Sequence, residues 1–119
     1  MRILIAEDVE DTRYLMKTLL EMKGHCVTEA CNGREAVERA VVDHPDLILM
    51  DVTMPVMDGL SATRNIKANP ETSLIPVVAI SALMGDPTWR GRALASGCSD
   101  CYAKPLDFEA LDGLLATAH

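Results

Sequence analysis

The chain alternates short apolar runs with stretches of helical periodicity. Ile3 to Ala6 is apolar, rich in isoleucine and too brief for a helix, which predicts a buried strand. From Asp8 to Lys23, Leu15, Met16, Leu19 and Leu20 share one helical face, and Gly24 supplies a natural stop. His25 to Ala30 predicts a second, weaker strand. Arg34 to Asp43 carries Ala36, Val37, Ala40 and Val41 at helical spacing, and Pro45 bounds it. Leu47 to Asp51 is a third strand, Gly59 to Ala68 a short helix and Ile75 to Ser81 a fourth strand. Pro87, suited to a first helical turn, opens a helix running to Ser96 and Gly97. Asp100 to Ala103 is a fifth strand, and Phe108, Leu111, Leu114 and Leu115 mark a last amphipathic helix.

Strands separated by helices pair in parallel, because each crossover returns the chain to the same end of the sheet. Leu47-Ile48-Leu49-Met50 and Val77-Val78-Ala79-Ile80 are apolar on both faces, as central strands covered by helices on each side require. The pattern therefore predicts an open, doubly wound α/β sandwich, in which ligands bind beyond the carboxyl ends of the strands.

Polar residues collect at those ends. The first strand runs into Glu7-Asp8, the third ends in Asp51, the fourth in Ser81 and the fifth in Lys104-Pro105. Singly, each has a plain reading: Asp8 as the cap of the first helix, Glu7 as a solvated loop residue, Ser81 as a turn, Lys104 as a surface charge. Asp51 is harder to dismiss, since an unpaired carboxylate at a buried strand end is costly. Three carboxylates, a hydroxyl and an ammonium at topologically equivalent positions form a set that independent plain readings would rarely produce. Two carboxylates about 5 Å apart repel by roughly 3 kcal/mol at an effective dielectric of 20. A hard divalent cation relieves that repulsion, and Mg²⁺ uses one or two carboxylates while leaving positions for water and phosphate. A third carboxylate is then free to act as a nucleophile toward phosphorus, with Lys104 balancing the phosphoryl charge and Ser81 donating a hydrogen bond to it.

Composition adds exclusions. With 49% hydrophobic and 24% charged residues in 119, the chain has the make-up of one globular domain. No apolar run nears the roughly 20 residues of a membrane span, and the start lacks a secretory pattern, so the cytoplasm is the expected location. Eleven basic against 18 acidic residues give a net charge of -7, which opposes direct nucleic-acid contact and anionic membranes. Of Cys26, Cys31, Cys98 and Cys101, the last two form a CxxC, but an apparent strand follows it and no second ligand pair exists. Packing cysteines are the expectation.

These residues resemble the receiver domain of two-component response regulators over essentially the whole chain, residues 1–119 read as a single domain. The matching pieces are Glu7-Asp8, Asp51, Met54-Pro55-Val56-Met57-Asp58-Gly59, Ser81-Ala82 and Lys104-Pro105. The resemblance implies a flavodoxin-like, five-stranded parallel sheet of order 2-1-3-4-5 with five helices in three α/β/α layers. It implies that Asp51 accepts phosphate from a histidine kinase or histidine phosphotransfer protein, with no substrate turned over beyond the domain's own phosphorylation and dephosphorylation. Asp8, Asp51 and the Thr53 carbonyl would then ligate Mg²⁺, with Mn²⁺ as a substitute, and Glu7 would help through water. Ser81 and Tyr102 match a switch pair, Lys104 the phosphoryl counter-charge and Pro105 a cis proline. The helix from Pro87, the strand Asp100 to Ala103 and the last helix would form the readout face for a protein partner.

Some positions depart from the commonest pattern. Ser81 stands where threonine is more usual. Thr53 and Leu83 occupy positions that tune hydrolysis, and Leu83 cannot orient water by a hydrogen bond, so slow loss or relay of the phosphoryl group is expected. A haloacid-dehalogenase-type phosphatase would place a second aspartate where Thr53 stands. A flavodoxin-like FMN carrier would want a phosphate-cradling loop where Glu7-Asp8-Val9-Glu10-Asp11 would repel one. No effector segment follows His119, so either signalling by protein contact or origin in a hybrid kinase is expected. Trp89 reads first as half-buried packing and second as a partner contact.

Overall fold

The computed structural model describes residues 1–82, 87–104 and 108–117. Five strands, β1 (Arg2–Ala6), β2 (Cys26–Ala30), β3 (Leu47–Asp51), β4 (Val77–Ser81) and β5 (Asp100–Ala103), alternate with five helices. The helices are α1 (Glu10–Met22), α2 (Gly33–Asp43), α3 (Gly59–Ala68), α4 (Pro87–Ala95) and α5 (Phe108–Thr117). All strands pair in parallel in the order β2-β1-β3-β4-β5, the doubly wound arrangement that the apolar runs predict. Every residue of β3 and β4 is buried, as expected of strands covered on both faces.

Side chains alternate between the two faces of the sheet. Ile3, Ile5, Leu47, Leu49, Val78 and Ile80 pack with Met16 and Leu20 of α1 and with Leu111, Leu114 and Leu115 of α5. Leu4, Ala6, Ile48, Met50, Val77 and Ala79 pack instead with Ala36 and Ala40 of α2, Leu60 and Ile66 of α3, and Ala93 of α4. Two helices therefore cover one face and three cover the other.

Two boundaries differ from the sequence expectation for physical reasons. Strand β4 begins at Val77, because Pro76 has no N–H to give a ladder and Ile75 instead donates to the Thr72 carbonyl in a turn. Helix α1 begins at Glu10, and its cap is Val9, whose side chain makes no capping bond. Asp8 is thus not spent on capping.

The exit from β3 is tight. The Gly59 N–H donates to the Val52 carbonyl at 2.9 Å, and a Cβ on Gly59 would lie 2.0 Å from the Asp51 carbonyl oxygen. Asp58 caps α3 by accepting from the Ser61 N–H at 2.9 Å. Val56, between them, sits at φ 69, a left-handed conformation that a β-branched residue adopts only under constraint. Part of that constraint is visible on the far side of the loop, where the Gly33 N–H at the start of α2 donates to the Met57 carbonyl at 3.0 Å.

Replacing Gly59 with alanine is expected to cost about 3 kcal/mol, because backbone must move to admit the methyl group. Gly113→Ala in α5, where a Cβ meets nothing within 4 Å, is expected to stabilise by about 0.5–1 kcal/mol. Urea unfolding of the two variants measures both.

Candidate functional site

Register places the acidic residues. Ala6 is paired with Met50, so one step further along each strand Glu7 stands level with Asp51. Both carboxylates are almost fully buried, at 1% and 4% exposure. Lys104, one residue beyond the Ser81–Ala103 pair, passes the end of β4 to reach them. Its ammonium pairs with the Glu7 carboxylate and lies 3.3 Å from Asp51 Oδ2. The Thr53 N–H donates to Asp51 Oδ1 at 3.4 Å. Asp8 is exposed, yet its carboxylate closes a set in which oxygens of Glu7, Asp8 and Asp51 all lie within 4.8 Å of one another.

The electrostatics follow from that packing. Burial pushes the Asp51 carboxyl up to about 7, reinforced by hydrogen bonding and repulsion from Glu7, and Lys104 opposes this only in part. Burial also works against ionised Glu7, but hydrogen bonds with Asp51 and Lys104 and the attraction of Lys104 hold it below the usual carboxylate range. For Lys104, burial favours loss of the proton, and the hydrogen bond to Glu7 and the two carboxylates outweigh it and raise the ammonium's pKa. Asp51 therefore titrates near neutral pH beside an ionised Glu7. A hard divalent cation fits these donors: at about 2.1 Å from each oxygen, octahedral ligands stand roughly 3 Å apart when adjacent and 4 Å when opposite. The carboxylate oxygens, within 4.8 Å of one another, lie close to that range.

The switch pair named from the sequence is not brought together. Ser81 is registered with Ala103, whereas Tyr102 is registered with Ile80 and packs among the residues under α1 and α5. Ser81 and Tyr102 thus lie on opposite faces of the sheet. On the face of Ser81 the neighbouring β5 residue is Cys101, buried in the cluster under α2, α3 and α4. Pro105 and Leu83 lie outside the described residues. Burial pushes the Cys98 and Cys101 thiols above their ordinary value, and both sit in the core as packing groups.

Next to Thr53 a cleft of about 340 Å³ opens between Met54 and Leu60 on one side and Trp89 and Arg92 of α4 on the other. The Arg92 guanidinium stacks 4.3 Å from the centroid of the Trp89 ring. Trp89 is half-buried against the α2–α4 cluster, as its packing reading expects.

The family model of the response regulator receiver domain matches residues 3–116. The chain belongs to that family. This receiver domain is 38% identical over 112 residues to the protein PilH of Pseudomonas aeruginosa, covering 92% of this chain and 90% of PilH. It is 42% identical over 106 residues to the response regulator PleD of Caulobacter vibrioides, covering 89% of this chain but 23% of PleD. Among solved structures it is similar to the receiver domain of the sensor histidine kinase PA1611 from Pseudomonas aeruginosa, which has a magnesium ion coordinated in its active-site cleft. That match has a TM-score of 0.88 and 35% identity, over 98% of this chain and 95% of the other. The flavodoxin-like fold with strand order 2-1-3-4-5 agrees with the receiver architecture that the edge residues imply. Among the described residues no helix is long and apolar enough to cross a membrane.

Because the folded chain holds the Asp51 proton more tightly than the unfolded chain, the destabilisation is absent below about pH 4 and complete above about pH 7. In magnesium-free buffer, Asp51→Asn is expected to be more stable than the native chain by about 2 kcal/mol at pH 8, the gap closing as pH falls toward 4. Thermal melts across that pH range check the sign and the window.

Proposed function

We propose that this receiver domain accepts a phosphoryl group on Asp51, in a magnesium-dependent reaction, from a phosphohistidine of a histidine kinase or histidine phosphotransfer protein in the cytoplasm. The observation that carries the reading is a buried carboxylate at a strand end, facing two further carboxylates and one lysine. An Asp51 carboxylate oxygen attacks phosphorus, the phosphorus–nitrogen bond breaks, and the imidazole nitrogen leaves with the electron pair. Asp8, Asp51 and the Thr53 carbonyl are the residues that would hold Mg²⁺, with Mn²⁺ as a substitute and Glu7 acting through water. When bound, the ion supplies positive charge against the transferring phosphoryl oxygens.

The chain's own groups do the rest. Lys104 exchanges part of its pairing with Glu7 and Asp51 for a phosphoryl oxygen, keeping its charge inside the site. Ser81, buried at the adjoining strand end, offers a hydroxyl to a second phosphoryl oxygen. The altered contacts around Ser81 and Thr53 are read out on the α4-β5-α5 face, which meets a protein partner without direct nucleic-acid contact or membrane insertion. On this reading residues 1–119 act as one signalling unit that turns over nothing but its own acyl phosphate. Thr53 and Leu83 in the positions that tune hydrolysis, the leucine unable to orient water by a hydrogen bond, support slow loss of the phosphoryl group.

Incubation with acetyl phosphate and Mg²⁺ is expected to add one phosphoryl group by intact mass, with a lifetime of minutes or longer. Chelation of the metal is expected to abolish the adduct, and so is Asp51→Asn. An adduct that survives in Asp51→Asn overturns the assignment; decay within seconds overturns the slow-loss reading alone.

A further inference from the structure

The two groups that hold the end of β1 in place are not the ones that would touch a cation. The Glu7 N–H donates to the Ala30 carbonyl of β2 at 3.0 Å, the last rung before the chain leaves the sheet. The Glu7 carbonyl beyond it receives Nη1 of Arg13 at 2.8 Å. Arg13 stands in the first turns of α1 and is mostly buried, with 17% of its side chain exposed. Its guanidinium is itself fixed, since Nε donates to Glu29 Oε1 of β2 at 3.2 Å and Lys17 lies 3.4 Å from the other Glu29 oxygen. One planar cation thus bridges the first turns of α1, the last peptide of β1 and the edge strand β2.

The Glu7 carbonyl belongs to the peptide that joins Glu7 to Asp8. Its direction fixes the plane from which the Asp8 side chain departs, and Asp8 is the exposed member of the carboxylate set, with no capping bond to hold it. Among the described residues, Arg13 is the hydrogen-bond partner of that peptide on its carbonyl side.

We infer that Arg13 is a positioning residue for the cation site, acting through the Glu7–Asp8 peptide to aim the Asp8 carboxylate. This rests on the magnesium-dependent reading of the site. A guanidinium suits the task because its fork serves a carbonyl and a carboxylate at once, which a single ammonium on a flexible stem does not. Its charge is largely answered by Glu29, so its influence on the site is geometric rather than a field effect. The two roles predict opposite signs. Removing a nearby positive charge would tighten binding of a second cation, whereas releasing the peptide would weaken it.

Calorimetric titration of the whole chain with Mg²⁺ separates them. In Arg13→Ala the Mg²⁺ dissociation constant is expected to rise about tenfold, the scale on which residues behind metal ligands act. Arg13→Lys keeps the charge and loses the fork, and is expected to weaken Mg²⁺ as well. The Mg²⁺ concentration needed for phosphorylation by acetyl phosphate should rise in parallel, while the rate at saturating Mg²⁺ stays within about twofold of native, as a loss of ground-state binding alone requires. Melts in metal-free buffer report whether each variant is folded, and Arg13→Lys carries the comparison if Arg13→Ala is not. Unchanged or tighter Mg²⁺ binding in the folded variants overturns the inference, and so does full rescue by lysine. A native chain that binds no Mg²⁺ overturns the functional reading instead, and this inference with it.

Discussion

Two carboxylates buried side by side at the ends of neighbouring strands are the constraint to which the rest of the molecule answers. Glu7 and Asp51 have almost no access to water, and their mutual repulsion is eased within the chain by Lys104. That compensation is deliberately incomplete in the physical sense: one ammonium faces two carboxylates, and Asp51 holds its proton up to about pH 7. The site is thereby left short of positive charge, which on the proposed reading a cation supplies. Its rigidity comes from outside the charged set, from the wholly buried β3 and from Gly59, whose missing side chain lets α3 start against the Asp51 carbonyl.

Much of this was legible in the sequence, because buried parallel strands leave an unmistakable trace. Leu47 to Met50 is apolar at every position, so its burial on both faces, and the arrival of Asp51 at the strand end, could be read directly. The equivalence of Glu7, Asp51, Ser81 and Lys104 followed from alternation of strands and helices. What could not be read was parity across strands. Tyr102 is one residue from Cys101, and only the pairing of Ser81 with Ala103 shows which of the two shares a face with the serine. Arg13 was equally hidden, since a lone arginine in a polar helical turn gives no sign that it reaches a carbonyl six residues back. Capping preference argued for Asp8 as a helix cap, yet α1 starts at Glu10 with Val9 as its cap.

The two faces of the sheet are held differently. Under α1 and α5 the contacts are mainly leucine, isoleucine and methionine, and Lys23, the C-cap of α1, pairs with Asp112 of α5. Under α4 the anchoring is thinner. Ala93 is its buried residue, Trp89 packs half-buried beside it, and polar straps add to these: Arg90 to the Cys101 carbonyl at 3.3 Å and, just past the helix, Arg64 of α3 to Ser96 at 3.2 Å. Elements held by few apolar contacts open at low free energy. The helix that flanks the cleft beside Thr53 is therefore lightly anchored.

The pair between Lys104 and Glu7 joins residues 97 apart in a chain of 119. Synthesis delivers them in order, and the acidic pair emerges long before the lysine that answers it. Until β5 docks, Glu7 and Asp51 have no internal counter-charge and little reason to leave water. On the proposed reading, competence to take up phosphate is thus tied to the last strand. The fold itself acts as a check on completeness, written into the distance along the chain between two charges.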